Sequence, residues 1–421
     1  MRILITGESF PPNAGGSGWS TYALAKGLRS RGHTVQVVQP RPGLSGTRMR
    51  TYEGIPVIEF GYRAQNIPGA RSFLRRLDLE RGFAEFLSKR TGDFDIIHAQ
   101  HVLTIPPAVT AGQRSGVPVI STVRDYWPVC VYGTLWRENE ICTVCKPYEL
   151  RRCLRQRYGL VAQLAQPIVP LAQRELEARQ RALAESDGVV AVSHYVADKL
   201  QGLVDPDKLA VIPNIVEVGG GGGDDDDDSP RRSMISTPRV DINDIRPPFI
   251  LFAGKLNILK GADLIPYVME KSRVDIPLVV VGEGSLSGRL AQIPNVKMLG
   301  WIANKDVLEL MARATMLLFP SRWAEPLART LLEAQAVGAP TVALDTGGTR
   351  DVIQHEYNGL LAENENEFAA QIARLAADEA LQQRLRENCK HVAANRFSPE
   401  MVLPQFEQLY MTALERRAVT V

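Results

Sequence analysis

The sequence has few cysteines and no long apolar run, and each shortage removes a class of protein. Five cysteines among 421 residues, in a chain that opens without a secretory leader, argue against a disulfide framework. The opening MRILITGESFPP offers only Ile3, Leu4 and Ile5 before polar residues, where a leader needs an apolar stretch of about 7 to 15. No apolar run approaches the roughly 20 residues that span a bilayer. The expected location is therefore the cytoplasm, with a peripheral contact to an anionic inner membrane face left open. The 34 Gly and 27 Pro show no G-X-Y period, which excludes collagen-like and low-complexity chains. At 45% hydrophobic and 23% charged, the chain can fill the cores of two or three soluble domains.

The formal charge of +2 hides an asymmetry. Residues 1–215 carry 27 Lys and Arg against 19 Asp and Glu, and the remainder 22 against 28, so the two parts stand at +8 and −6. The basic residues of the first part are spread out and no DNA-reading motif accompanies them. Acidic glycans, lipid headgroups or nucleotide sugars are better partners than nucleic acid.

MRILITG reads as a short buried strand, GGSGWSTYALAKGLRSRGH as a glycine-rich turn entering an amphipathic helix, and TVQVVQP as a second strand. DFDIIHA, VPVISTV and GVVAVS continue the alternation, which implies a parallel sheet with helices on both faces. The rhythm stops in GGGGGDDDDDSPRRS, where neither glycine nor aspartate runs bury enough apolar surface to offset their ordering entropy. A second alternation follows with FILFAG, IPLVVVG, NVKMLG, ATMLLFP and PTVALD. The expected organisation is an α/β domain over 1–215, a linker over 216–247, a second α/β domain over 248–398, and a terminal helix over 399–421 that packs back toward the first domain. Leu403, Phe406, Tyr410, Ala413 and Leu414 give that helix one apolar face.

Four sites carry candidate chemistry. Gly15, Gly16 and Gly18 sit between strand and helix, where small residues let amides approach a phosphate, or where a tight turn simply requires them. The spacing is not GxGxxG and no acidic residue ends the next strand, which argues against a dehydrogenase. Lys255 and Lys260 follow a strand end, where two ammonium groups suit a diphosphate. Gly282 and Gly284 mark another strand end open to a ligand or to an ordinary turn. In SRWAEPLARTLLEAQAVGAPTVA, Glu325 and Glu333 lie eight apart. A helix starting near Pro326 would put Glu333 about two turns in and leave the amides of Leu327, Ala328 and Arg329 free for an anion.

These residues resemble the motifs of the retaining glycosyltransferases of family four. The basic residue and Lys-Gly pair after the first strand of the second domain match Lys255 and Lys260-Gly261. The E-x7-E motif matches Glu325 and Glu333, and VVGEG, the LGW at Leu299 to Trp301 and the IPN ending at Asn214 agree as well. The resemblance spans almost the whole chain. It implies the GT-B fold, two Rossmann-like domains facing a central cleft, with a nucleotide-diphosphate sugar bound mainly by the second domain and a hydroxyl acceptor (glycan, lipid-linked saccharide or small molecule) mainly by the first. It further implies transfer with retention, Lys255 and Lys260 at the leaving diphosphate, Glu325 at a sugar hydroxyl, Glu333 at the ribose, Gly15 and Gly16 near the donor, and no catalytic metal.

Three departures stand out. Lys255 replaces a more usual Arg, Pro326-Leu327-Ala328 replaces a glycine-rich loop, and Arg124-Asp125 replaces a His-Asp pair. If Arg124 faces the donor, its guanidinium would favour a uronic-acid sugar over a neutral hexose; the alternatives are that it turns away to pair with Asp125 or a neighbouring acidic residue, or meets an acidic acceptor. Alternatives to transfer are a nucleotide-sugar epimerase of the same fold and a non-catalytic nucleotide-sugar-binding protein. Separately, Cys130, Cys142, Cys145 and Cys153 crowd one segment with a single C-x2-C, a pattern that fits a structural zinc site or four reduced thiols.

Overall fold

The computed structural model describes residues 1–12, 14–63, 71–142, 145–159, 168–217 and 242–420. It divides into two compact units, Met1–Pro213 with Val402–Val421, and Asn214–Met401. The glycine and aspartate runs of the expected linker lie outside the described residues. Its described flanks belong to the second unit: the Val216 amide donates to the Phe397 carbonyl, Ile242–Asp244 forms a 3-10 turn, and Ile245 enters the core. The linker expected over 216–247 is therefore shorter at both ends, because Val216 and Ile245 are apolar enough to be buried.

The first unit is an eight-stranded sheet. Its strands are β1 Arg2–Thr6, β2 Thr34–Pro42, β3 Thr47–Tyr52, β4 Ile55–Tyr62, β5 Ile96–Ala99 and β6 Val119–Val123, then, after a small ribbon β7 Trp136–Arg137 and β8 Glu140–Ile141, β9 Gly188–Ala191 and β10 Leu209–Val211. The order is β10-β9-β6-β5-β1-β2-β4-β3, parallel except for β3 against β4. Helices α1 Gly16–Ser30, α2 Arg71–Ser88, α3 Ile105–Ser115, α4 Pro147–Tyr158, α5 Ile168–Ala184 and α6 His194–Leu200 connect them. Central strands such as IIHA and VISTV are buried at every position, the continuous apolar signature of a sheet covered on both faces. Strand β3, TRMRTY, is mostly exposed; its arginines keep this edge from pairing further.

The second unit carries six parallel strands, β11 Ile250–Ala253, β12 Leu278–Val281, β13 Val296–Gly300, β14 Met316–Phe319, β15 Thr341–Leu344 and β16 Leu360–Ala362, in the order β13-β12-β11-β14-β15-β16. Its helices are α7 Ile265–Ser272, α8 Ser287–Leu290, α9 Asn304–Arg313, α10 Arg329–Val337, α11 Glu365–Ala377 and α12 Glu379–Val392. In each unit the chain order reverses beside the first strand, between β1 and β5 and between β11 and β14. Open α/β sheets bind ligands at the carboxyl ends of such strands. Among the described residues no helix is long and apolar enough to cross a membrane.

The last helix, α13 Pro399–Thr420, buries Leu403, Phe406, Tyr410 and Ala413. From Val402 onward it belongs to the first unit. Tyr410 Oη meets His98 Nδ1 at 2.6 Å while His98 Nε2 meets Thr122 Oγ1 at 2.7 Å, so a fully buried imidazole is satisfied on both sides. Near the helix centre Glu407 accepts two bonds from Arg31, at 2.7 and 2.8 Å, and one from His33. The Arg31 guanidinium, more than any other neighbour, holds the Glu407 carboxyl at about 2, below its ordinary 4.5.

A carboxyl depressed by folding adds stability above its unfolded pKa and loses it as pH falls through the folded one. Glu407→Gln should therefore lower the thermal midpoint at pH 7, and the gap from the parent protein should narrow steadily from pH 5 downward. A gap that is constant with pH would mean the Glu407 charge is not what ties α13 down.

Candidate active site

The carboxyl ends of β11 and β14 each release a loop, and among the described residues two ion pairs tie the loops together, Arg322–Asp263 at 3.5 Å and the more buried Lys260–Glu325. Lys260 Nζ lies 2.5 Å from Glu325 Oε1, and Ser321 Oγ donates to the same oxygen at 2.9 Å. Glu325 is only 3% exposed, so its charge requires these partners. The amides of Arg322 and Trp323 both donate to the Leu259 carbonyl, and the Gly348 amide donates to the Glu325 carbonyl. Lys260 Nζ also stands 5.2 Å from the Trp323 ring centre, within reach of a cation–π attraction. Lys255, five residues earlier, is exposed.

Helix α10 begins at Arg329, not near Pro326. Pro326, Leu327 and Ala328 instead form a buried turn, with Ala328 in extended backbone at the cap. Glu333 is thus little more than one turn into the helix, where its Oε1 accepts from Arg329 Nε at 2.8 Å and Asn304 Nδ2 at 3.4 Å. The Arg329 amide is one of the helix's unpaired first-turn donors.

Gly282 and Gly284 serve the loop before they could serve a ligand. A Cβ on Gly282, whose φ is +125°, would lie 1.9 Å from the Gly254 carbonyl oxygen, and one on Gly284 would lie 2.3 Å from that of Leu256. Both positions are closed by backbone, which brings the Lys255 loop down onto the end of β12. A Cβ on Gly15 would meet nothing within 4 Å, so the turn before α1 is open there.

In the first unit Arg124 follows β6. Its guanidinium donates to Gln100 Oε1 at the end of β5, whereas Asp125 accepts from the Trp127 amide at 2.8 Å. Burial raises the Asp125 carboxyl to about 6. Arg124 and Asp125 are adjacent in sequence but have separate partners.

Cys142 lies within electrostatic range of Cys130, Cys145 and Cys153. Among the described residues no three His, Cys, Asp or Glu side chains are placed to hold a metal ion, and Cys130, Cys142, Cys145 and Cys153 are free thiols. Cys145 and Cys153 pack against Leu150, Leu154 and Val169. Burial is the main cause raising the pKa of Cys142, to about 11, and of Cys145 and Cys153, which keeps these thiols protonated. Thr143 and Val144, inside the C-x2-C, lie outside the described residues.

Sequence reasoning missed Ser321, Trp323 and Asn304, the partners of Glu325, Lys260 and Glu333. Ser321 and Trp323 stand in the same SRWAEP stretch as Glu325, four and two residues before it. Only the reversal of the chain across β14 shows that they face Lys260.

Two α/β units whose sheets each reverse strand order beside the first strand, the second bearing a Lys–Glu pair there, have the GT-B architecture. The profile described as Glycosyltransferase Family 4 matches residues 14–219 and that described as Glycosyl transferases group 1 matches 239–392; the chain belongs to family 4 of the glycosyltransferases. It is similar to a D-inositol 3-phosphate glycosyltransferase of Xylanimonas cellulosilytica, 24% identical over 96% of this chain and 93% of the relative. It is also similar to an N-acetyl-alpha-D-glucosaminyl L-malate synthase of Bacillus anthracis, 26% identical over 98% of both. Among solved structures, sucrose-phosphate synthase of Thermosynechococcus elongatus superposes with a TM-score of 0.68 at 17% identity over 99% of each chain. Anabaena HepE in complex with UDP gives 0.66 at 18% identity over 97% of this chain and 99% of that one.

Lys260→Met would strand the Glu325 carboxylate without its cation, which costs about 3–5 kcal/mol at a buried site and less here because water reaches Lys260. Adding Glu325→Gln should recover much of the lost thermal midpoint. A double variant as unstable as Lys260→Met alone would show that the two charges do not compensate each other.

Proposed function

We propose that the protein transfers a glycosyl group from a uridine-diphosphate sugar to a hydroxyl acceptor with retention of anomeric configuration. The observation that carries this reading is the Lys260–Glu325 pair at the β11/β14 reversal, with Lys255 beside it. Departure of the sugar concentrates charge on the diphosphate, and fixed cations aimed at that charge supply the largest catalytic term. Lys255 and Lys260 take that role. Glu325, buried and already oriented by Ser321 and Lys260, accepts hydrogen bonds from sugar hydroxyls, and Glu333, held by Arg329 and Asn304, accepts from the ribose. The Arg329 amide at the start of α10 adds an anion-binding donor.

A uridine donor is supported by HepE, whose structures hold UDP and UDP-glucose, and by a relative named for UDP-galactose transfer. The relatives named for inositol 3-phosphate and L-malate support a hydroxyl compound as acceptor, and a role in building polysaccharide or lipid-linked saccharide fits the same reading. No residue is assigned as general base; the acceptor proton passes to the leaving diphosphate.

Turnover of a panel of UDP, GDP, ADP and dTDP sugars, with product configuration read by NMR, examines each part. Transfer should be fastest from a UDP sugar, and an inverted product would refute retention. Glu325→Gln should lower kcat/KM by about 10², while Glu333→Gln should mainly raise the donor KM.

A further inference from the structure

The end of β5 and the neighbouring end of β1 carry buried donors that have no hydrogen-bond partner among the described residues. Gln100 is 1% exposed; its Oε1 accepts from Arg124, but its Nε2 has no hydrogen-bond partner. His101 Nε2, next along the chain, is likewise buried and unpartnered, as is the hydroxyl of Thr6 at the end of neighbouring β1. Buried polar atoms are nearly always satisfied, and leaving one unpaired is costly. Three at the ends of adjacent strands, at the reversal of the first sheet, indicate atoms kept for a ligand.

The tautomer of His101 follows from its neighbours. The Glu8 amide donates to His101 Nδ1 at 3.2 Å, so that nitrogen is the acceptor and, in a neutral ring, Nε2 carries the proton. Burial first, and the Arg124 charge second, lower the His101 pKa to about 3, so the ring is neutral at physiological pH. The ring lies so close to the turn after β1 that a Cβ on Gly7 would come within 3.0 Å of Nδ1. The ring is thus fixed as an N–H donor and cannot serve as a base through Nε2.

Three of the acceptor atoms nearby are engaged. Glu8 Oε1 takes the Leu103 amide at 2.8 Å, Gln100 Oε1 takes Arg124, and His101 Nδ1 takes the Glu8 amide. A neutral hydroxyl brought here would present a proton that these atoms cannot readily take. A carboxylate or phosphate oxygen accepts without donating, and the Arg124 guanidinium supplies the opposite charge.

We infer that Gln100 and His101, with Thr6 and Arg124, form the anion-binding part of the acceptor site, so that the acceptor carries a carboxylate or phosphate beside its reacting hydroxyl. This rests on the glycosyltransferase reading above and narrows its acceptor class. It also assigns Arg124 to an acidic acceptor instead of an acidic donor sugar.

The experiment measures binding of inorganic phosphate, malonate and glycerol to protein saturated with UDP, so that the diphosphate site is already filled. Both anions should bind, and glycerol should bind at least about tenfold more weakly. Gln100→Glu keeps the bond to Arg124 but replaces the free donor with an acceptor, and His101→Phe removes the ring N–H. Each should weaken both anions by about tenfold or more while the affinity for UDP stays as it was. In transfer assays glycerol 3-phosphate and L-malate should outperform glycerol. Nitrogen-15 NMR of the parent protein should show His101 neutral with its proton on Nε2. Anions that bind no better than glycerol, variants that bind them as well as the parent, or a protonated Nδ1 would overturn the inference. Failure to bind UDP or to turn over any nucleotide sugar would instead overturn the reaction assigned above.

Discussion

A carboxylate that is 3% exposed must be held by a cation or hydrogen-bond donors, and the end of the second sheet is organised around that requirement for Glu325. The burial of an isolated charge would cost several kcal/mol even after relaxation. Lys260 and Ser321 supply the compensation, and they come from different loops. Keeping Lys260 within 2.5 Å of Glu325 therefore fixes the loop after β11 against the loop after β14. The amides of Arg322 and Trp323 on the Leu259 carbonyl are the backbone expression of the same constraint. The proposed chemistry and the local folding here rest on the same atoms.

The parallel sheets make such loops possible. Every residue of β5, β6, β12, β14 and β15 is buried, so the strands leave no polar surface on which to build a site. Polar chemistry is displaced to the carboxyl ends, where the chain must leave the sheet. The reversals beside β1 and β11 hold two such ends apart from their connections and give each unit one place to receive a ligand.

These strand ends could be read from the amino acids because continuous short apolar runs bounded by glycine or proline leave little choice of structure. The β3–β4 hairpin escaped notice for the opposite reason: TRMRTY has the composition of a surface strand and no apolar face to report its pairing. The start of α10 was misplaced because Pro326 is a good first helical residue, whereas here it stands in a turn closed by burial of Leu327 and Ala328. Spacing suggested a ligand role for Gly282, but the carbonyl of Gly254 occupies the space. The cysteine cluster was visible as spacing alone, and spacing does not say how closely four thiols converge. Gln100 and His101 were invisible as site residues, since an unpaired donor exists only relative to the atoms around it.

The two strand reversals differ in how their cations are held, and the difference decides what each can bind. Arg124 donates to an amide oxygen, that of Gln100. Lys260 is tethered by a carboxylate, and Arg329 by another at Glu333, so both contacts are neutralised and exposed Lys255 retains its charge. A diphosphate arriving at the second unit must share Lys260 with Glu325, and sharing is favourable only if something else satisfies the buried carboxylate. Sugar hydroxyls, which donate, can do so; a bare nucleotide, which has none at that position, cannot. In the proposed reaction, coupling the cation to the carboxylate would make strong engagement of the phosphates depend on the presence of the sugar, and so direct binding energy to the bond that is to break.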